Sequence, residues 1–199
     1  KKLDLKWYFI EKREISMKPN NLFILTHTSG STGKPKAIVF TQKTKLKRTK
    51  QSIDLFKVTS KDVVLSPTPL HHSLGQRHLF ISLISGAMLI KIYPFNPEVW
   101  LKSIKEFNVT FAIPVATHLK VLQKFILDNP SYLSSLRCLV TSSSTVEKEF
   151  KTAILDNASF DFWEIYGMTE TACATAVRYQ KGLSTSHLGK AIKGSMFRI

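Results

Sequence analysis

Cysteine is almost absent from this chain: Cys138 and Cys173 are the only two among 199 residues. A disulfide framework or a cysteine-built zinc site needs more, so both thiols are expected to be buried rather than nucleophilic. Acid is also scarce, with 14 Asp and Glu against 29 Lys and Arg and a formal charge of +15. Long hydrophobic runs are missing. The stretch from His78 to Ile90 covers thirteen residues between Arg77 and Lys91 and contains Gly86, well short of the roughly 20 apolar residues a membrane helix needs. The first residues, KKLDLKWYFIEKRE, lack the basic, apolar and small-residue sections of a secretory signal. These absences predict a cytoplasmic chain with no membrane-spanning helix. What is present suits a buried core: 43% apolar residues and only 22% charged describe a globular chain, one domain or part of a larger one.

The basic excess is mostly lysine, 23 of 29, and its densest stretch, Lys34 to Lys50, holds seven bases and no acid. Such a patch attracts phosphates of any kind, or it is a solvated helix face. Direct base readout favours arginine, and single-strand binding needs aromatics among the bases. Thr41 to Ser52 contains none, so no nucleic-acid partner is expected.

Short β-rich apolar runs alternate with longer segments of helical period, the pattern of an α/β domain with a sheet flanked by helices. Strands are predicted at Leu22–Thr26, Ala37–Phe40, Asp62–Leu65, Ala87–Ile92, Thr110–Ile113, Arg137–Thr141 and Phe160–Ile165. Helices are predicted at Gln42–Phe56, His72–Ser85, Pro97–Phe107, Ala116–Asp128 and Val146–Asp156. Asn96 before Pro97, and Thr145 before Val146, read as helix entries. Val115, Leu119, Leu122 and Ile126 share one helical face; His118 lies among them and is expected to be bonded to nearby backbone. There is no internal repeat.

Between the first two strand-like runs, Thr28-Ser29-Gly30-Ser31-Thr32-Gly33-Lys34-Pro35-Lys36 packs four hydroxyls, two glycines and two lysines into nine residues. Glycines let backbone N–H groups converge on an anion, hydroxyls add donors, and lysine supplies charge. Polyphosphate is the natural ligand. The spacing is not that of a Walker A loop, because Thr28 and Pro35 stand where that pattern needs glycine and Ser or Thr.

The same string resembles the phosphate-binding motif T-S-G-S/T-T-G-x-P-K-G of the adenylate-forming superfamily, which includes acyl-CoA synthetases, peptide-synthetase adenylation domains and luciferases. Thr28 through Lys36 match at every specified position, and Ala37 departs from glycine. Further motifs follow in family order. Pro69-Leu70-His71-His72-Ser73-Leu74-Gly75 is similar to P-L-x-H-x-x-G, and Tyr166-Gly167-Met168-Thr169-Glu170 to Y-G-x-T-E. Ser142-Ser143-Ser144 stands where the family has a glycine-rich adenine-side loop, and His187 to Gly194 mirrors S-x-G-x-P-x-x-G.

The resemblance implies part of the large domain of an adenylate-forming enzyme, with the family's ribose aspartate, hinge and mobile C-terminal domain outside residues 1–199. It implies an ATP-dependent ligase that joins a carboxylic acid to the α-phosphate and then passes the acyl group to a thiol, coenzyme A first among candidates. Thr28, Ser29, Gly30, Ser31, Thr32 and Gly33 would enclose the β- and γ-phosphates, with Lys36 as a point charge. Glu170 would hold Mg²⁺, Thr169 would bond the α-phosphate, and His72 would gate the acid pocket. Ser142, Ser143, Ser144, Tyr166, Gly167 and Met168 fall on the adenine side, with Tyr166 offering a flat face for stacking and Trp163 expected in the core. Met168 favours the acyl-CoA ligase branch. The region that lines the family's acid pocket holds Phe80, Phe111, Ile113, Pro114 and several leucines here, which would suit an apolar aryl or fatty acid and equally a sheet core. Alternatives are a domain loading a carrier protein, a basic nucleic-acid module, or a catalytically silent relative.

Overall fold

The computed structural model of the chain describes residues 20–28, 36–157, 159–182 and 187–195. The opening residues and the central part of the phosphate-loop motif, Ser29 to Pro35, lie outside the described residues.

Two strands, β1 (Leu22–Thr28) and β2 (Lys36–Thr41), pair antiparallel as a hairpin, and Thr28 faces Lys36 at its end. Thr41 then caps helix α1 (Gln42–Phe56) by accepting from the Thr44 amide at 3.1 Å, an entry device typical of a β-region hydroxyl residue. The remaining elements in chain order are β3 (Val63–Ser66), α2 (Ser73–Ser85), β4 (Met88–Lys91), α3 (Pro97–Phe107), β5 (Phe111–Ala112), α4 (Ala116–Asp128), β6 (Cys138–Thr141), α5 (Lys148–Asn157), β7 (Asp161–Tyr166), β8 (Thr175–Tyr179) and β9 (Lys190–Ala191).

The main sheet has the order β4-β3-β5-β6-β7-β8-β9. Pairs from β4 through β7 are parallel, and β8 and β9 extend the sheet antiparallel. Side-chain alternation along the strands builds a core on each face. Leu65, Ala112, Leu139 and Phe162 join one apolar cluster with Trp100, Ile104, Leu119 and Phe150 of α3, α4 and α5. Val64, Phe111, Cys138, Val140 and Ile165 join another with Phe56 of α1 and Ile81 of α2. Successive residues point to opposite faces, so one strand serves both cores. The mixed α/β architecture expected from sequence is therefore observed. Among the described residues no helix is long and apolar enough to cross a membrane.

Two differences from expectation have clear causes. The helix predicted to begin at Val146 begins at Lys148, because the Val146 amide is occupied by the Glu164 carboxylate at 3.2 Å; Thr145 is not its entry residue. Strands β8 and β9 were not anticipated; β9 has only two residues.

Asp62, at the foot of β3, is 4% exposed and ties the lower edge together. It accepts a bidentate pair from Arg137 at 2.7 and 2.8 Å, the Thr110 hydroxyl at 2.6 Å and the Thr59 amide at 2.8 Å. Burial pushes its pKa upward, but those hydrogen bonds outweigh it and hold the carboxyl below its usual range.

Candidate functional site

The order of connection changes side at β3: β4 lies on one side of it and β5 on the other, all three parallel. At such a point in a parallel sheet the connections diverge and leave a crevice beyond the strands' carboxyl ends. Here that crevice is a cleft of about 450 Å³. Thr68 and Pro69 follow β3, Val115 follows β5, Ser142 and Ser143 follow β6, and Gly167 to Thr169 follow β7. His72, which precedes α2, closes one wall together with Leu74 and Arg77 of that helix, and α4 contributes His118.

Motif glycines sit where the chain has no room for more. A Cβ on Gly75 would fall 2.1 Å from the Pro69 carbonyl oxygen, so α2 packs directly on the Thr68–Pro69 segment. On Gly167 it would fall 1.6 Å from the Ala172 carbonyl oxygen. Gly167 thus permits the tight turn from β7 to β8, in which the Ala172 amide bonds Met168 oxygen and the Ala174 amide bonds Tyr166 oxygen, both at 2.8 Å.

That turn is held from behind by α1. One Arg48 nitrogen donates to the Thr169 carbonyl at 2.9 Å and another donates to the Glu170 carbonyl. Its guanidinium carbon lies 4.5 Å from the centre of the Phe40 ring. Lys45, one turn earlier, is 7% exposed and donates to Gln76 of α2. Burial first, then the nearby Arg48 and Arg77, lower the Lys45 pKa to about 8. The basic stretch is therefore not simply a solvated face: its inner row, Lys45 and Arg48, joins the hairpin, α2 and the motif turn.

The sequence-predicted site residues divide as follows. His72 precedes the first residue of α2 with extended backbone, makes no capping bond and lines the cleft. Its ring lies 4.3 Å from that of His71; burial, then His71, lower its pKa, so the ring is neutral at pH 7. Thr169, Gly167 and Met168 line the cleft, while Glu170 is the exposed next residue of the turn. Tyr166 ends β7 at 47% exposure and stands beside the lining rather than within it. Ser142 and Ser143 reach the cleft, whereas Ser144 lines a neighbouring depression with Lys120 and Glu147. Ser143 has φ of 83°, a left-handed conformation that glycine adopts more easily. Thr28 and Lys36 close the hairpin; Ser29, Gly30, Ser31, Thr32 and Gly33 are outside the described residues.

Several expectations are corrected. Phe111 and Ile113 are fully buried in the sheet core and Pro114 is also buried, so none lines the cleft. Phe80 faces a separate depression with Lys45 and Arg48. The apolar lining comes instead from Leu74, Val115, Ile165, Met168 and Ala172. His118 is not bonded to backbone as expected: its Nδ1 has no partner among the described residues, and its ring stacks on Phe95 at 3.9 Å. Burial lowers its pKa and leaves it neutral. Arg77, which the motifs did not single out, lines the cleft directly. Cys138 and Cys173 are buried free thiols as expected; burial raises both, Cys138 to about 12, so neither is a nucleophile. Trp163 packs on the core with an edge-on contact to Phe56.

Among the described residues no three His, Cys, Asp or Glu side chains gather to hold a metal. A hard cation here would take one protein carboxylate, Glu170, and complete its shell with phosphate oxygens and water, as Mg²⁺ commonly does.

Under Glu164, two places before Tyr166, lies a buried polar network. Lys151 donates to Glu164 at 2.6 Å and to the Tyr179 hydroxyl at 2.9 Å, and Tyr179 donates to the same carboxylate. Burial first, then Glu164, raise the Tyr179 pKa. This network anchors β7 to α5 and β8 and so steadies the strand that delivers the motif turn.

The hairpin is followed by a parallel sheet whose carboxyl-end cleft gathers His72 and the Gly167–Thr169 turn, the place where sheets of this class take their ligands. The family model described as AMP-binding enzyme matches residues 2–199, and the chain belongs to that family. It is 27% identical over 160 residues to an indoleacetate–CoA ligase of Aromatoleum aromaticum, covering 80% of this chain and 31% of the ligase. It is 27% identical over 195 residues to a dimodular nonribosomal peptide synthase of Bacillus subtilis, covering 94% of this chain and 8% of the synthase. The o-succinylbenzoate coenzyme A synthetase of Bacillus subtilis, solved with ATP and magnesium, superposes with a TM-score of 0.79 at 27% identity, covering 92% of this chain and 38% of that one. The chain spans about a third of the length of the curated ligase it matches.

Proposed function

We propose that these residues form part of the large domain of an ATP-dependent acid–thiol ligase, with a mobile C-terminal domain outside residues 1–199. The acid's carboxylate oxygen attacks the α-phosphorus of ATP. A new P–O bond forms, the bond to the bridging oxygen breaks, and pyrophosphate leaves with its electron pair. The thiol of coenzyme A then attacks the acyl carbon of the adenylate: a C–S bond forms, the C–O bond to the phosphate breaks, AMP leaves with its electron pair, and the thiol proton is released. The observation that carries this reading is the convergence of His72 from α2 with the Gly167–Thr169 turn after β7 on one cleft.

Thr169 bonds the α-phosphate at the moment negative charge spreads over it. The Thr28–Lys36 loop encloses the outer phosphates. Neutral His72 stands where the carboxylate enters, and Tyr166 stacks on adenine from beside the cleft, with Ser142 and Ser143 below. Glu170 would hold a bound Mg²⁺, which would supply positive charge to offset that of the departing pyrophosphate. A cytoplasmic setting fits two thiols kept free. An adenylation domain loading a carrier protein is the alternative acceptor chemistry; the likeness to the peptide synthase supports it. The nucleic-acid reading is disfavoured by the inward commitment of Lys45 and Arg48.

Trapping with hydroxylamine tests this reading. The full-length protein should form a hydroxamate only when ATP, Mg²⁺ and a suitable acid are all present. The isolated 199 residues should form little or none. Acid-dependent hydroxamate absent from folded full-length protein across a broad acid panel would overturn the reading.

A further inference from the structure

Arg77 sits on α2 five residues beyond His72, and the two line the same cleft. At about 1.5 Å of rise per residue, that is roughly 7.5 Å along the helix axis. Helix α2 starts at the carboxyl end of β3 and returns toward its foot, so Arg77 lies deeper than His72 and away from the mouth. No ion pair or hydrogen bond engages its guanidinium among the described residues. Two cations, Lys45 and Arg48, line a smaller depression with it and feel its charge, while the buried Cys173 thiol acts on Arg77 in the opposite sense. The one carboxylate close to this group, Glu170, acts on Arg48. Across the cleft, His118 is neutral and stacked on Phe95. Arg77 is therefore the cation of the cleft lining, with no acid among the lining residues to answer it and with Leu74, Val115, Ile165 and Met168 supplying apolar surface beside it.

A guanidinium facing a partly enclosed cleft is matched by a planar, negatively charged acceptor, and its fork fits a carboxylate. Arg77 is half-buried, and burial lowers its pKa. In the adenylation reading the α-phosphate has its own donor at Thr169, which lines the cleft. The reacting carboxylate enters at His72, one turn nearer the mouth. What remains deeper is the distal end of the acid.

We infer that Arg77 is an anion anchor within the acyl cleft, and that the acid activated here is a dicarboxylic acid whose second carboxylate pairs with it. This rests on the adenylation reading above. The acid reacts through one carboxylate at the Thr169 end while the other is held at Arg77, which fixes both its orientation and which end is activated. Simple fatty or aryl monoacids leave the guanidinium unanswered and are poor substrates.

The test compares matched pairs, succinic with butyric acid and adipic with hexanoic acid, in acid-dependent pyrophosphate exchange by the full-length protein and its Arg77→Leu and Arg77→Lys variants. Wild type should prefer one diacid over its monoacid partner. Losing a charge-assisted bidentate pair should cut the diacid-to-monoacid ratio of kcat/KM by about 10- to 100-fold in Arg77→Leu, with Arg77→Lys between. Calorimetric titration of each diacid, without ATP, should show binding to wild type that Arg77→Leu loses. If Arg77→Leu weakens diacids, monoacids and ATP alike, the guanidinium serves the shared phosphate or reacting carboxylate and the inference fails. It fails also if wild type prefers monoacids. Absence of exchange with every acid would sink the adenylation reading instead; diacid titration would still decide the role of Arg77, with Arg77-dependent binding supporting the anchor and no binding overturning it.

Discussion

Replacing Arg48 by methionine should disable the motif turn without unfolding the protein. The guanidinium makes two charge-assisted bonds, to the Thr169 and Glu170 carbonyls, and lies over Phe40. Each such bond contributes about 1.5–3 kcal/mol when buried, and the cation–π contact about 0.5–1 kcal/mol at a partly exposed site. The Glu170 end is exposed, so that bond adds little; the lower values, about 1.5 and 0.5 kcal/mol, apply to the Thr169 bond and the Phe40 contact, and methionine keeps the stem's packing. The net loss is about 2 kcal/mol, roughly a 30-fold fall in the fraction of molecules with Thr169 correctly held. Acid-dependent exchange should drop by about that factor, while Tm falls by only a few degrees. Lysine at this position can reach one carbonyl at a time and should recover part of the loss. An Arg48→Met protein with exchange within threefold of wild type would refute the idea that α1 positions this turn.

Other outcomes follow from the same geometry. Glu164→Gln leaves the Lys151 ammonium buried without its carboxylate and should cost about 3–5 kcal/mol in denaturant unfolding, whereas the double change Glu164→Leu with Lys151→Met should cost much less; equal losses would contradict this. Asp62 has a lowered pKa in the folded state, so its stabilising contribution is complete above about pH 4 and is lost as pH falls through the lower folded value. Asp62→Asn should therefore flatten the acid limb of a stability–pH curve while lowering the plateau. In the full-length protein Glu170→Gln should weaken the Mg²⁺ dependence of adenylation, and Tyr166→Ala should mainly raise the KM for ATP. Negligible effects from both would remove those two residues from the site.

Much of the framework is legible in sequence because local signals mark it. Helices α1, α3 and α4 begin and end where expected; α1 is capped by Thr41, and Asn96 caps α3 by accepting from the Val99 amide at 3.0 Å. Asn108 closes α3 in the left-handed conformation, which asparagine tolerates. What escaped detection depends on distant partners. The Val146 amide is drawn from its helix by Glu164, eighteen residues away in sequence. Lys45 and Arg48 look like surface charge until α2 and the motif turn close over them. His118 acquires its environment from Phe95, on a different segment. The structure brings His72 and Thr169 to one cleft. Of the two readings open for Phe111 and Ile113, acid pocket or sheet core, their complete burial places them in the core.

The most direct test of the central claim is carboxylate-dependent exchange of labelled pyrophosphate into ATP by the full-length protein, run with mono- and dicarboxylic acids and with a Thr169→Val control. The account predicts exchange that requires both acid and Mg²⁺, and that Thr169→Val loses. Folded protein that binds ATP yet exchanges no pyrophosphate with any acid would contradict it.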